Sequence, residues 1–250
     1  MRLRDALPAA LHCRRMRALI LAAGRGERMR PLTDTTPKPL LPVRGEPLIV
    51  WHLQALARAG VREVVINTAW LEEQVPAALG DGARWGLRIR YSTEGRDHGG
   101  ALETAGGIRK ALPWLAPQGD EAFWVVSGDI FVPGFEFDGA LARDFAAGSD
   151  LGLLWLVPNP DFHAAGDFEL VGTRLRRDAP RRWTYANVAL LRPALVAALP
   201  VGQCAPLGPL LFDAAEADRL AGRVLDGEWH NVGTTAQLAA LNAAPALELR

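Results

Sequence analysis

Short β-rich apolar runs alternate with helical patterns along this chain, and few folds accept that alternation: it marks a mostly parallel sheet covered by helices. Strands are expected at Ala18–Ala22, Val61–Asn67, Leu87–Tyr91, Phe123–Val126 and Leu151–Val157. Between the first two lies PLIVWHLQALARAG, where Ile49, Leu53 and Leu56 recur at helical spacing. Pro47 stands at its first turn and Gly60 at its stop, which completes one βαβ unit. Further helices are expected over Glu72–Leu79, Glu103–Ala111, Phe137–Ala146, Leu207–Ala217 and Thr234–Ala243. The run DFELVGTRLRR, Asp167–Arg177, alternates across Gly172 as a hairpin does, so an antiparallel insert is expected beside the main sheet.

At 250 residues and 49% hydrophobic content, the chain can bury one substantial core, and no linker or repeat divides it. Residues 1–15 carry too short an apolar run for a signal peptide or a membrane span, so a disordered extension is expected there and a single domain over residues 16–250. The 28 basic and 28 acidic residues balance, which leaves no global field to recruit nucleic acid or an anionic membrane. Cys13 and Cys204 are expected as free thiols in a reducing, cytoplasmic setting, in a monomer or small homo-oligomer. His12, His52, His98, His163 and His230 show no zinc-ligand spacing, and no serine elbow is present.

Any anion must therefore be met locally, and one stretch is built for it. LILAAGRGERMRPLTDTTPKPLLP, Leu19–Pro42, ends an apolar strand and turns through Ala22, Ala23, Gly24 and Gly26. Small residues leave backbone N–H groups bare to phosphate oxygens, and Arg28 and Lys38 can add full charges to a polyphosphate. The spacing fits neither GxxxxGK[ST] nor GxGxxG. Taken alone, a glycine loop after a strand is also an ordinary structural turn, and a lone lysine is usually just solvated.

As a whole the segment resembles the sugar-phosphate nucleotidyltransferase signature LAAGxGxRxxPxTxxxPKPLxP. Leu21, Ala22, Ala23, Gly24, Gly26, Arg28, Pro31, Thr33, Pro37, Lys38, Pro39, Leu40 and Pro42 match it. The resemblance continues through LETAGG at Leu102–Gly107, VSGD at Val126–Asp129 and WHNVGT at Trp229–Thr234. It implies a Rossmann-like sheet and Mg²⁺-dependent attack by a sugar-1-phosphate on a nucleoside triphosphate, giving a nucleotide sugar and pyrophosphate. Chain length and GDFEL at Gly166–Leu170 make it most similar to uridylyltransferases acting on N-acetylmuramate 1-phosphate. Transfer to glucose- or mannose-1-phosphate with another base, and non-catalytic sensing of nucleotide sugars, stay open as alternatives.

The resemblance implies roles residue by residue. Leu21, Ala22, Ala23, Gly24, Gly26 and Gly128 would border the nucleotide, Arg28 would hold its outer phosphates, and Lys38 would reach the α-phosphate or the sugar phosphate. Asp129 closes FWVVSGD, where a carboxylate at a strand end suits Mg²⁺, although a turn cap is its plain alternative. The family usually has aspartate where this chain has Asn231, as second metal ligand. Glu94 or nearby backbone would face the base, and Arg96–Gly99 read as extra residues able to form a lid. Sugar contacts would come from Glu103, Thr104, Gly166, Asp167 and Asn187; the plain alternatives are helix-start residues for Glu103 and Thr104, a turn for Asp167 and a buried polar group for Asn187, with Trp229 either core or stacking platform.

Overall fold

A computed structural model describes residues 16–177 and 182–243 of the chain. The extension expected over residues 1–15 lies outside the described residues. In chain order the strands are β1 Arg17–Leu21, β2 Pro42–Val43, β3 Glu46–Pro47, β4 Glu63–Thr68, β5 Arg88–Thr93, β6 Phe123–Ser127 and β7 Ile130–Phe131. They continue as β8 Gly152–Val157, β9 Glu169–Val171, β10 Arg174–Arg176, β11 Thr184–Leu191, β12 Leu220–Val224 and β13 His230–Asn231. The helices are α1 Leu32–Thr35, α2 Leu48–Arg58, α3 Gln74–Leu79, α4 Glu94–His98, α5 Glu103–Leu115, α6 Gly139–Ala147, α7 Gly208–Glu216 and α8 Thr235–Ala243.

Nine strands form one sheet in the order β5-β4-β1-β6-β11-β8-β12-β10-β9, and β2–β3 and β7–β13 form two small ribbons. The first four are parallel, as a chain of crossovers requires. Alternation along β1 explains the layers: Ala18 and Ile20 pack with Ile49, Leu53 and Leu56 of α2 on one face. Leu19 points the other way, onto Ile108, Leu112 and Leu115 of α5. Helix α2 stops where Gly60 adopts φ 82°, in the left-handed region open to glycine. Helix α5 runs past its expected end through Pro113, because Leu112 and Leu115 still have core to fill.

The second half of the sheet is mixed, and here the structure adds to the expectation. The hairpin β9–β10 forms, with Gly172 at φ 60° in its turn. Strand β11, whose segment carried only the Asn187 reading, lies antiparallel between β6 and β8. Strand β12 was not anticipated either, and pairs parallel to β8. Among the described residues, no helix is long and apolar enough to cross a membrane.

An aromatic cluster anchors the sheet's α2 side: Trp124 packs at 5.1 Å from both Phe137 and Trp155, and Phe135 lies 4.8 Å from Phe137. Trp124 is fully buried and, among the described residues, its indole nitrogen has no hydrogen-bond partner. Trp124→Ala is expected to cost about 3–5 kcal/mol in denaturant unfolding, through lost contacts and a cavity. Trp124→Phe keeps much of the ring contact and removes the unsatisfied N–H, so its loss should be clearly smaller in the same measurement.

Candidate active site

A cleft of about 670 Å³ opens at the carboxyl ends of β1, β4 and β6, the position where open α/β sheets bind ligands. Residues Leu21–Arg28 form its floor, Lys38 and Asp129 one wall, and Glu103 and Thr104 the other. Gly26 takes φ 66°, and a Cβ there would sit 3.0 Å from the Thr33 methyl and 3.2 Å from Lys38. The Thr33 hydroxyl donates to the Gly26 carbonyl at 2.9 Å and holds the turn. Above Gly24 nothing lies within 4 Å, so its backbone stays open to a ligand. Gly128 does not line the cleft: its N–H donates to the Leu21 carbonyl at 2.8 Å, and a Cβ would crowd that oxygen at 2.9 Å. That close approach sets β6 against β1 and brings Asp129 to the wall.

Lys38 Nζ donates to Asp129 Oδ2 at 2.8 Å, with the lysine nearly buried and the carboxylate 38% exposed. Arg28 is exposed with its guanidinium against Gly233, and among the described residues it has neither ion pair nor hydrogen bond. Strand β13 pairs antiparallel with β7, matching Asn231 to Ile130, and the Val232 N–H donates to the Asp129 carbonyl at 3.0 Å. Asn231 thereby comes beside Asp129 in the fold. Its Oδ1 is buried and, among the described residues, has no hydrogen-bond partner, an orphan acceptor suited to a hard cation.

Glu94 is not at the cleft surface. It is fully buried, its two oxygens accepting from Asn67 Nδ2 and from the Leu102 N–H at 2.8 Å each. Burial pushes its carboxyl above the ordinary value, against those two bonds, which favour the ion. Asn67 Oδ1 in turn accepts the Ala22 N–H at 2.7 Å. Asn67, unremarked in the sequence, so ties the glycine loop to the segment before α5; its only signal was a polar side chain ending the run VVIN. Gly107 makes room for this link, since a Cβ would fall 2.7 Å from both side chains.

The residues expected to form a lid instead form α4, which Gly99 ends at φ 80° and which Asp97 pins to Lys110 at 2.6 Å. The Lys110 bond holds the exposed Asp97 carboxyl down at about 2. Glu103 and Thr104 border the cleft, with Glu103 in the left-handed region at φ 61°. Gly166 and Asp167 do not. Asp167 accepts the Tyr185 N–H at 2.8 Å and lies 3.0 Å from His163 Nε2, bracing the β8–β9 connection. Asn187 sits at the β11 bulge with φ 60°, next to the pair Val188–Val126, outside the cleft lining. Trp229 donates to the Ala186 carbonyl at 2.9 Å and, with Asn231, borders a separate cavity of about 490 Å³.

Residues 17–164 match the model of the nucleotidyl transferase family. An N-acetylmuramate alpha-1-phosphate uridylyltransferase of Neisseria meningitidis is 45% identical over 231 residues, covering 89% of this chain and 95% of that protein. A protein of the same description from Caulobacter vibrioides is 35% identical over 86% of this chain and 91% of its own length. A glucose-1-phosphate thymidylyltransferase of Streptomyces griseus is 30% identical over 91% of this chain and 65% of its own. In fold, the chain superimposes with a TM-score of 0.76 at 20% identity on a putative glucose-1-phosphate thymidylyltransferase from Bacillus anthracis, covering 91% of this chain and 94% of the other. The family match runs over the loop, Lys38 and Asp129, the residues that build most of the cleft, and this chain belongs to the nucleotidyl transferase family.

Proposed function

We propose that this chain joins UTP to N-acetylmuramate 1-phosphate with the help of Mg²⁺, releasing pyrophosphate. The pairing of Lys38 with Asp129 beside an open glycine loop carries the reading of the chemistry. The Neisseria and Caulobacter relatives support the choice of base and sugar. A phosphate oxygen of the sugar attacks the α-phosphorus of the triphosphate. The bond from that phosphorus to the α–β bridging oxygen breaks, and the electron pair leaves with pyrophosphate. Both reactants are anions, so positioning and charge neutralisation do most of the work.

Each residue has a task in that scheme. The amides of Ala23 and Gly24 meet the nucleotide, Arg28 holds the outer phosphates, and Lys38 neutralises the phosphates that react. Asp129 and Asn231 would hold Mg²⁺, and the orphan Asn231 oxygen supports that fit. The ion, when bound, supplies positive charge against the phosphates. Because Glu94 is spent on Asn67 and Leu102, the base is met by the segment around Ala101 and not by that carboxylate. Asn187 stays assigned to the sugar, level with the end of β6, while Gly166 and Asp167 brace the loop. Nucleoside triphosphate as substrate and an exposed Cys204 thiol, unpaired among the described residues, support a cytoplasmic setting.

Pyrophosphate release should be fastest with UTP and N-acetylmuramate 1-phosphate among the common triphosphates and sugar 1-phosphates. Equal or faster release with a glucose or mannose 1-phosphate would change the sugar assignment, and no release with any pair would favour a sensor. Lys38→Ala should stay folded by circular dichroism yet lose on the order of a hundredfold or more in kcat. Asn231→Asp adds a charge to the metal shell, so the Mg²⁺ concentration for half-maximal rate should fall. An unchanged Mg²⁺ requirement would place Asn231 outside that shell.

A further inference from the structure

Arg25, at the tip of the glycine loop, matched none of the signature positions. It borders the cleft and is exposed, and its guanidinium carbon stands 4.3 Å from the centre of the Trp70 ring. Among the described residues it has no carboxylate partner. Trp70 itself is held in place, half-buried, with its indole N–H donating to the Thr33 carbonyl at 2.8 Å. Thr33 is the residue whose hydroxyl fixes Gly26. The aromatic face is therefore built into the same turn that shapes the loop.

The loop itself says which part of a ligand Arg25 would meet. Arg25 and Arg28 stand three residues apart in one turn, and both border the cleft. A triphosphate whose outer phosphates lie at Arg28 would bring them within reach of the neighbouring Arg25. An exposed cation–π contact is weaker than a charge-assisted bond to a phosphate oxygen, so a polyphosphate would win the guanidinium from the ring.

We propose that Arg25 is a further phosphate-binding residue: it rests on Trp70 in the free enzyme and transfers to the outer phosphates of the triphosphate, the half that leaves as pyrophosphate. The proposal rests on the function proposed above. It adds a second cation to Arg28 at the leaving group and makes Trp70 the resting place of Arg25 in the free enzyme.

Inorganic pyrophosphate at fixed Mg²⁺ is the direct probe, titrated by calorimetry and by tryptophan fluorescence. Arg25→Gln should weaken pyrophosphate about tenfold with an unchanged melting temperature, and Arg25→Lys should recover part of the loss. Trp70→Phe should keep wild-type affinity to within about twofold but lose the fluorescence change, which assigns the signal among the chain's 8 tryptophans. If Arg25→Gln binds pyrophosphate as the wild type does, the stack only staples the loop and the proposal is overturned. A fluorescence change that survives in Trp70→Phe would overturn the transfer from the ring. No pyrophosphate binding by the wild-type chain would overturn the functional reading itself, and this inference with it.

Discussion

The cleft hangs on one buried amide. Asn67, at the end of β4, takes the Ala22 N–H with its oxygen and gives its nitrogen to Glu94, which takes the Leu102 N–H in turn. The glycine loop and the rim before α5 thus share a single chain of hydrogen bonds, and their separation is set by buried side chains. Such a network is strong only if every member is satisfied, because an unpaired polar group in a low-dielectric interior is costly. Gly107 is glycine for this reason: any side chain there would displace the link.

Around that frame the charges are arranged for an anion. The chain as a whole is neutral, so attraction must come from side chains at the cleft. Lys38 and Asp129 neutralise each other at 2.8 Å, which lets a lysine lie nearly buried. Arg28 has no protein partner among the described residues, and Arg25 has only the Trp70 ring. Exposed ion pairs contribute little to folding, so charges left unpaired in this way cost the fold little while remaining available to a ligand.

The mixed half of the sheet serves the site from a distance. Strand β11 inserts antiparallel beside β6, and its bulge carries Asn187 in a left-handed conformation that asparagine tolerates better than most residues. Trp229 donates to Ala186 on that strand, and the short β13 then runs back along β7. This is how Asn231, far along the chain, comes beside Asp129. Among the described residues, the Asn231 oxygen in that arrangement has no partner.

The sequence alone determined the elements whose signal is local. Short apolar runs placed β1, β4, β5, β6 and β8, and a period-3.6 pattern placed α2, to within a few residues, because burial is written into each segment by itself. The signature loop was legible for the same reason: Gly26 needs its φ and Gly24 its bareness whatever surrounds them. Only the tertiary structure decided what depends on distant partners. Strand β11 was read only for Asn187 because its place between β6 and β8 is a matter of pairing, and β12 likewise gains its register from β8. The sequence offers Glu94 to the base and Asp167 to the sugar or to a turn, and it does not show that the fold brings the Leu102 and Tyr185 N–H groups to them. The residues Arg96–Gly99 looked like a lid until Lys110 pinned them as a helix. A side chain's chemistry is local, but whether that chemistry is spent inside the protein or offered to a ligand depends on which remote groups the fold brings within hydrogen-bonding distance.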